Sequence, residues 1–545
     1  MEIRGIDDEE DLAEFLSDKP QITYDPFLMK GMSDGVDAIC RSADKNEKIC
    51  VYGDYDCDGV TSVCLLTEIL QEIFPKGHVS YYIPSRFEEG YGLNKGAIKK
   101  IHDNGVNLIL TADCGSVSFE EVEYAKKLGM NVIVTDHHNI DTKKADCILI
   151  NPKQSDCKYP FKGLCGCGVA YKLVQGLRQK IGFDRSFILR ALDLVGIATI
   201  GDIVPLVDEN RTITKYGINE LKKCKRESLR ILADVMSLKL NEISSANIAF
   251  GIVPAINACG RMDDAKHAVR MIMGKDKEEI RNNAEKMYFL NSSRRSIQEK
   301  AFEECVKIVE ENQSQYDFKV IKADVHEGVA GIVAGKIKDK YNRPCIIVTE
   351  SEGLLKGTGR SIPGVDIYEI LKAHEDIFIR FGGHKSACGF LTESKNLGVL
   401  TEELQEEIEK YKKNYPEIFE VRYDFDMELM VGEVTMELAE MLKKFEPCGE
   451  GNRMPVFKFS DVDIEYISSM GKDGRHIKFF ASQGGYAIEC INFGGGKEIL
   501  RKHFTNSNES YNVDLIGKLE INEFRGKRKL QIIADGIIDK RKAYI

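Results

Sequence analysis

The chain reads as an α/β protein in which a parallel-sheet domain and a second α/β domain are joined by a long helix, with a small OB-type β-barrel at the carboxyl end. Three observations predict this. Over residues 48–152, short apolar or β-branched runs alternate with amphipathic helical stretches, the pattern of successive βα units. Over 275–315, apolar residues recur at helical spacing in a charged, proline-free stretch. After Tyr415-Pro416 the pattern changes to short β-type runs broken by Gly, Asp and Asn.

In the first unit, strands are expected at 49–52, 107–111 and 132–135, and helices at 60–74 and 119–128. In such sheets the carboxyl ends of the strands open onto a crevice where ligands bind. The stretch 166–237 reads as mostly helical, with Asp202 in a turn between helices. Ile280, Ala284, Met287, Leu290, Ile297, Ala301, Cys305 and Ile308 mark one face of a helix long enough to hold two domains apart. A strand at 318–325, a helix at 331–340 and a strand at 345–349 open the second unit. A glycine-rich turn region follows to Gly389, then helical spacing at 397–411. Strands at 456–459, 477–481, 487–493, 513–521 and 530–534 supply the barrel. The division expected is an amino-terminal segment 1–45, a parallel-sheet domain 46–274, a connecting helix 275–315, a second α/β domain 316–415 and a β-barrel 416–545.

Composition narrows the function. At 545 residues, with domains usually spanning about 100–200 residues, several cores are expected. The amino terminus is acidic, and no run approaches the ~18 apolar residues of a membrane span, so a cytoplasmic protein without a membrane partner is expected. Sixteen cysteines lack the dense spacing of a secreted disulfide scaffold and read as reduced thiols. Cys165-Gly166-Cys167 has no second pair at zinc-finger spacing. A net charge of −11 argues against wholesale nonspecific binding to nucleic acid. The tail runs the other way, with ten Lys/Arg against six Asp/Glu from Arg501 onward.

Four clusters carry the chemistry: Asp54-Tyr55-Asp56-Cys57-Asp58-Gly59, Thr111-Ala112-Asp113-Cys114-Gly115, Thr135-Asp136-His137-His138 and Gly201-Asp202. The first three follow expected strands. Asp56 and Asp58 would point to one side if the strand ran through them, and like charges so placed repel unless a cation lies between them. Each cluster alone could be a turn or a helix cap; their recurrence at successive strand ends makes a metal site the better reading. Carboxylates with one imidazole and no required thiolate suit two Mn²⁺ or Mg²⁺ ions rather than zinc or copper. A pair of such ions serves in-line displacement at phosphorus, so phosphodiester hydrolysis is the expected reaction.

The four clusters, with Gly201-Asp202-Ile203-Val204-Pro205-Leu206 as the last, resemble the motifs of the DHH phosphoesterase superfamily. Asn257-Ala258-Cys259-Gly260-Arg261-Met262-Asp263-Asp264-Ala265, the 326–334 segment beginning His326-Glu327-Gly328, and Gly382-Gly383-His384-Lys385-Ser386-Ala387-Cys388-Gly389 resemble its RecJ branch. The resemblance runs over nearly the whole chain and implies a single-strand-specific 5′ to 3′ DNA exonuclease of recombination and repair, releasing 5′-mononucleotides. It assigns Asp56, Asp58, Asp113, His137 and Asp202 to two metals, with Asp113 or Asp56 as the bridge. His138 would face the scissile phosphate and Asp136 would orient a neighbouring imidazole. Some superfamily members carry a ligating histidine where this chain has Tyr52, a departure expected of the RecJ branch.

The resemblance also places phosphate contacts at Arg86, Arg261, Arg360, Ser361 and His384, and guanidinium forks suit a terminal phosphate. Gly383, beside Gly382, would let the backbone approach the strand. In the barrel, Tyr466, Phe479, Tyr486 and Phe524 are candidates for stacking on unpaired bases. Gly494-Gly495-Gly496-Lys497 lacks P-loop spacing and reads as a barrel turn. A cleft between two α/β domains wide enough for one strand would exclude duplex DNA. The partners expected are single-stranded DNA, a single-strand-binding protein and a RecQ-type helicase, with the enzyme itself a monomer. Two alternatives are a small-substrate member of the superfamily, which would not need the barrel, and a non-catalytic single-strand-binding scaffold, which would have lost metal ligands.

Overall fold

The computed structural model describes residues 2–140, 143–351, 353–420, 422–471, 474, 476–494, 511–524 and 526–539. Its first sheet is wholly parallel: β1 (Ile49–Gly53), β2 (Val79–Tyr82), β3 (Leu108–Ala112), β4 (Asn131–Thr135) and β5 (Ile148–Ile150), in the order β2-β1-β3-β4-β5. β1 and β3 are buried along their whole length, as expected where helices cover both faces. Alternate residues go to opposite sides. Ile49, Val51, Leu110 and Ile133 pack with the helices Met32–Asp44, Cys57–Ile73 and Gly166–Ile181. Cys50, Tyr52, Ile109 and Val134 pack with Lys95–Asp103 and Phe119–Lys127. The chain leaves β1 for β2 on one side and returns as β3 on the other. The β1/β3 boundary is therefore the topological switch point, where the carboxyl ends of two strands part.

Three helices, Arg185–Gly201, Asp208–Lys222 and Glu227–Val235, continue the first unit, and a π-helical turn, Ile248–Ile252, runs into the helix Val253–Met262. The connecting helix is one uninterrupted element, Lys277–Asn312. At 1.5 Å per residue its 36 residues span about 54 Å. Asp276 caps it by accepting from the backbone N–H groups of Glu278 and Glu279.

The second sheet contains β6 (Lys319–Lys322), β7 (Cys345–Ser351), β8 (Leu354–Arg360), β9 (Phe378–His384) and β10 (Ala387–Glu393), ordered β6-β7-β8-β10-β9. Only β6 and β7 are parallel. The glycine-rich region expected as turns is thus three antiparallel strands. Its glycines leave room for neighbours: a Cβ on Gly357 would lie 2.1 Å from the Phe390 ring, and one on Gly359 would lie 2.6 Å from Cys388 Sγ.

A two-residue strand, β11 (Met427–Glu428), leads into β12 (Phe457–Met470), β13 (His476–Gln483), β14 (Tyr486–Asn492), β15 (Tyr511–Phe524) and β16 (Lys527–Asp539). Pairing of β12 with β15 closes the last five into a barrel, which leaves them no open edge. Phe459, Ile464, Phe479, Val513 and Ile532 fill it. Phe479, expected as a base-stacking ring, is 0% exposed and belongs to this core, because it faces inward on β13. Tyr466 and Tyr486 are 74% and 62% exposed. The side chain of Phe524, and residues 495–497 of the expected barrel turn, lie outside the described residues, as does part of the basic tail.

All sixteen cysteines are free thiols. Among the described residues, no helix is long and apolar enough to cross a membrane.

The barrel is fastened to the first unit by Arg211, which is buried with no carboxylate within ion-pair distance among the described residues. Its guanidinium donates to the carbonyls of Phe15, Lys444, Phe445, Glu446 and Pro447 and lies 3.9 Å from the Phe15 ring centroid. Arg211→Met would leave those carbonyls unpaired, at a cost of about 1–3 kcal/mol for each one kept from water. The expected outcome is faster proteolytic cleavage within 443–453 and a lower thermal midpoint; wild-type cleavage kinetics would contradict the clamp.

Candidate metal centre

β1 ends at Gly53, so the strand does not run through the first acidic cluster. Asp56 is instead the N-cap of Cys57–Ile73, its Oδ1 accepting from the N–H groups of Asp58 (2.9 Å) and Gly59 (3.1 Å). Asp58 sits in the first helical turn, and helical geometry, not strand alternation, sets its direction. It accepts from the backbone N–H groups of Gly166 (2.6 Å) and Cys167 (2.8 Å). These are the free amides at the start of Gly166–Ile181, where the helix dipole favours negative charge.

Asp113 follows β3 at φ +63°, a left-handed conformation that aspartate tolerates better than most residues. Gly166 is packed against it: a Cβ there would lie 2.5 Å from Asp113 Cβ and 2.6 Å from its Oδ1. Beyond β4, His137 Nε2 lies 3.2 Å from Asp113 Oδ1, 3.5 Å from Asp202 Oδ2 and 3.9 Å from Asp58 Oδ2. Asp202 arrives as the C-cap of Arg185–Gly201. Ligand atoms of Asp54, Asp56 and Asp113 form one group within 4.8 Å of one another; Asp58, His137 and Asp202 form a second, and Asp113, His137 and His138 a third.

Burial and mutual repulsion dominate the electrostatics. Burial and the charge of Asp56 push Asp54 up to about 8 and Asp202 up to about 7. Asp58 and Asp113 are driven well above the ordinary carboxylate range by burial first and by neighbouring carboxylates next. Burial, reinforced by His138, holds His137 down to about 3, so its imidazole is neutral and free to ligate. Asp54 Oδ1, Asp113 Oδ1, His137 Nε2 and Asp202 Oδ2 are buried without a hydrogen-bond partner among the described residues. Lone pairs left unpaired in the interior are costly, and hard oxygen donors with one neutral imidazole fit a divalent cation.

Asp136 stands behind this group. It accepts from the backbone of Ser116 and His137, and from His138 Nδ1 at 2.7 Å. Burial opposes its charge, but these bonds outweigh burial and hold it below the usual carboxylate range. The same bond raises His138 against the opposing effect of burial. Tyr91 was not singled out from the sequence, although Gly90 and Gly92 flank it. Its hydroxyl donates to the Asp113 carbonyl and lies 3.2 Å from a His138 ring nitrogen. Tyr52, at the position where some superfamily members carry a ligating histidine, is structural: it stacks on Tyr82 and donates to the Gly92 carbonyl at 2.9 Å.

Arginines face the acids. Asn257 Oδ1 accepts from the Cys57 N–H, and Gly260 lies so close to the Tyr55 carbonyl that a Cβ would reach 2.5 Å, so this helix delivers Arg261 to the first cluster. Arg86 lies 5.0 Å from the Tyr55 ring centroid. Arg360 abuts Gly331 of the Glu327–Tyr341 helix, where a Cβ would lie 2.8 Å from its guanidinium. Burial, then Arg86, lowers Arg261 to about 10, and Arg294 and Arg360 act in the same sense. None of Arg86, Arg261, Arg294 and Arg360 has a carboxylate within ion-pair distance among the described residues. Register places Arg360 and His384 on either side of Ala387, on one face of the second sheet. Ser361 is buried and donates its hydroxyl to the Val365 carbonyl. Gly383, at φ +149°, has no room for a Cβ beside the Ala387 carbonyl, so its immediate task is to let the β9–β10 hairpin close.

Comparison with known proteins agrees. Residues 48–199 match the DHH family N-terminal domain, 313–410 the DHHA1 domain and 425–536 the RecJ OB domain. The single-stranded-DNA-specific exonuclease RecJ of Bacillus subtilis (strain 168) is 34% identical over 534 residues, covering 97% of this chain and 66% of that protein. Its counterpart in Escherichia coli (strain K12) is 31% identical over 533 residues, covering 93% and 90%. The crystal structure of RecJ in complex with Mn²⁺ from Thermus thermophilus superposes with a TM-score of 0.81 at 26% identity, covering 98% of this chain and 74% of that one. A Mg²⁺ complex from the same organism gives 0.75 at 26% identity, covering 98% and 73%. The resemblance carried by the motifs is borne out, and the chain belongs to the RecJ family of the DHH phosphoesterases.

Proposed function

We propose that this protein is a single-stranded-DNA-specific 5′ to 3′ exonuclease that releases 5′-mononucleotides in recombination and repair. The observation that carries the reading is the concentration, at the switch point, of buried oxygen and imidazole donors without partners among the described residues, faced by arginines that among those residues have no carboxylate in ion-pair reach. Asp56, Asp58, Asp113, His137 and Asp202 would hold two divalent cations, Mn²⁺ or Mg²⁺. Such cations supply Lewis-acid polarisation of the phosphodiester and lower the pKa of water.

The chain's own residues do the rest. Asp58 is fixed by the Gly166 and Cys167 amides, so its direction does not depend on the ligand. Asp136 holds His138 by Nδ1, and the other ring nitrogen, beside the Tyr91 hydroxyl, would face the scissile phosphate. Arg86, Arg261 and Arg360, with His384 on the same sheet face as Arg360, would take the 5′-terminal phosphate and non-bridging oxygens. Ser361 would support Arg360 by closing the following turn, and Gly383 by closing the hairpin that carries His384. The exposed rings of Tyr466 and Tyr486 would stack on unpaired bases, at about 1–3 kcal/mol per base.

The division into 1–45, 46–274, 275–315, 316–415 and 416–545 is part of this proposal. So are a cytoplasmic location, a monomeric state, and delivery of substrate by a single-strand-binding protein and a RecQ-type helicase.

End-labelled unpaired DNA with Mn²⁺ tests the reading. The 5′ label should leave early as mononucleotide, and Asp113→Ala should cut the rate by more than about 100-fold, since loss of outer-shell partners alone typically costs 10–100-fold. Early release of a 3′ label would refute the direction, and an active variant would refute the site. Gly166→Ala should displace Asp113 and weaken activation by Mn²⁺ about 10–100-fold in a titration; an unaltered titration would mean the close packing is irrelevant to the metal. Arg360→Ala should raise KM more for a 5′-phosphorylated strand than for a 5′-hydroxyl strand, by about tenfold for one charge-assisted contact. Equal losses on both substrates would remove Arg360 from the terminal phosphate.

A further inference from the structure

Away from the metal centre, the first unit carries a cavity of about 580 Å³ that the exonuclease reading does not use. Three helices line it: Gly166–Ile181 through Tyr171 and Arg178, Arg185–Gly201 through Arg185 and Leu189, and Asp208–Lys222 through Thr212 and Tyr216. Two of these helices also reach the metal centre, but by their other ends. Cys167, which holds Asp58, opens the first, and Arg178 lies about 16 Å further along its axis. Arg185 opens the second, about 25 Å of helix away from Asp202. The cavity is therefore apart from the scissile phosphate.

Polar groups in its lining lack partners. Thr212 is 7% exposed, and its Oγ1 is buried with no hydrogen bond among the described residues. Helical threonines can donate to the carbonyl four residues back, as Thr61, Thr199 and Thr401 do, but Thr212 does not. Arg178 Nε is likewise buried without a partner among the described residues. Neither Arg178 nor Arg185 has a carboxylate within ion-pair distance among those residues. Asp25 also lines the cavity, but it is engaged as a cap, accepting from the Phe27 N–H at 3.1 Å.

The cavity is held open by the fold. Thr23 and Tyr24 form part of its lining and are pinned by a buried ion pair. Lys172 donates to the Tyr24 carbonyl at 2.6 Å and to Glu209 Oε1 at 2.8 Å. The same carboxylate oxygen accepts from Thr23 Oγ1 at 2.8 Å and from the Tyr24 N–H at 3.2 Å. A ligand would find this site already formed, which lowers the cost of binding.

The lining combines three chemistries. Two guanidinium groups suit a phosphate dianion. Tyr171, Tyr216 and Leu189, the last 41% exposed, offer rings and apolar surface to a planar base. Gln175 and Gln179 offer amide donors and acceptors to its edge. We propose that this cavity binds a deoxynucleoside 5′-monophosphate, its phosphate on Arg178 and Arg185, with Arg178 Nε and the Thr212 hydroxyl taking hydrogen bonds they lack in the free protein. Such a ligand is of the class the proposed exonuclease would release, but the site is separate from the one that cuts the strand.

Equilibrium dialysis in EDTA tests this, with each of the four deoxynucleoside 5′-monophosphates as probe. At least one should bind at one equivalent per chain and stay bound when excess unpaired oligonucleotide is added. The matching nucleoside and inorganic phosphate should each bind at least tenfold more weakly. Arg178→Met should weaken binding about tenfold or more, as loss of a charge-assisted contact predicts, and Thr212→Val about fivefold. Without ligand, Thr212→Val should melt at or above the wild-type temperature, because a buried hydroxyl without a partner contributes nothing to lose. Displacement by the oligonucleotide would place the nucleotide at the strand-binding surface and overturn the proposal. Binding of none of the four, unchanged binding by both variants, or inorganic phosphate bound as tightly as the nucleotide would overturn it too. Binding is read without metal or cleavage, so failure of the exonuclease reading would leave this result standing.

Discussion

The structure depends on confining like charges. Asp54, Asp56, Asp58, Asp113 and Asp202 come from three separate regions of the chain and are gathered at one end of a parallel sheet, four of them with raised pKa values because burial and repulsion act together. Carboxylates at this density keep protons unless positive charge is brought among them. The protein supplies only part of it, as the amide dipoles that open Gly166–Ile181. Asp54 Oδ1, Asp113 Oδ1 and Asp202 Oδ2 are left unpaired among the described residues, and a divalent cation answers the electrostatic problem that the fold sets up.

That constraint explains otherwise unrelated local choices. Gly166 must lack a side chain because the helix that stabilises Asp58 also has to touch Asp113. Gly59 must lack one because a Cβ would lie 2.6 Å from the Asp54 carbonyl as the chain turns from strand to helix. Asp113 accepts a left-handed backbone, and its carboxylate reaches the shared space beside His137. Each is a small local cost tolerated because the sheet and its helices are closely packed around it.

The sequence was most legible where chemistry and periodicity coincide. Three apolar runs followed by acids or histidines gave β1, β3, β4 and the group at their ends, and uninterrupted helical spacing gave the connecting helix. It was least legible where a residue's role depends on a distant neighbour. The glycines of β8, β9 and β10 looked like turn signals because the rings and thiols that need their space lie on other strands. Asp58 looked like a strand residue because the amides that hold it lie 108 positions away in the chain. Phe479 and Tyr466 look alike in sequence, and only barrel closure sends one inward and the other into solvent. Tyr91 and Arg294 carry no motif and enter the site through loop and helix geometry alone.

The acids and the arginines also divide between domains in a way that makes spacing part of the chemistry. All the acidic groups belong to the first unit, whereas Arg360 and His384 stand on the second sheet, beyond a helix of about 54 Å. A phosphate can be held from both sides only if the two sheets keep a set distance, and an error of about 1 Å in such a site can cost ~100-fold in rate. On the proposed reading, contacts that run between the units would serve catalysis as well as stability. Gly328 has no room for a side chain beside the Arg261 carbonyl, and Phe87 meets the His326 ring edge-on at 6.1 Å. The barrel is held to the same frame by Arg211 and by the Leu206 N–H, which donates to the Glu450 carbonyl.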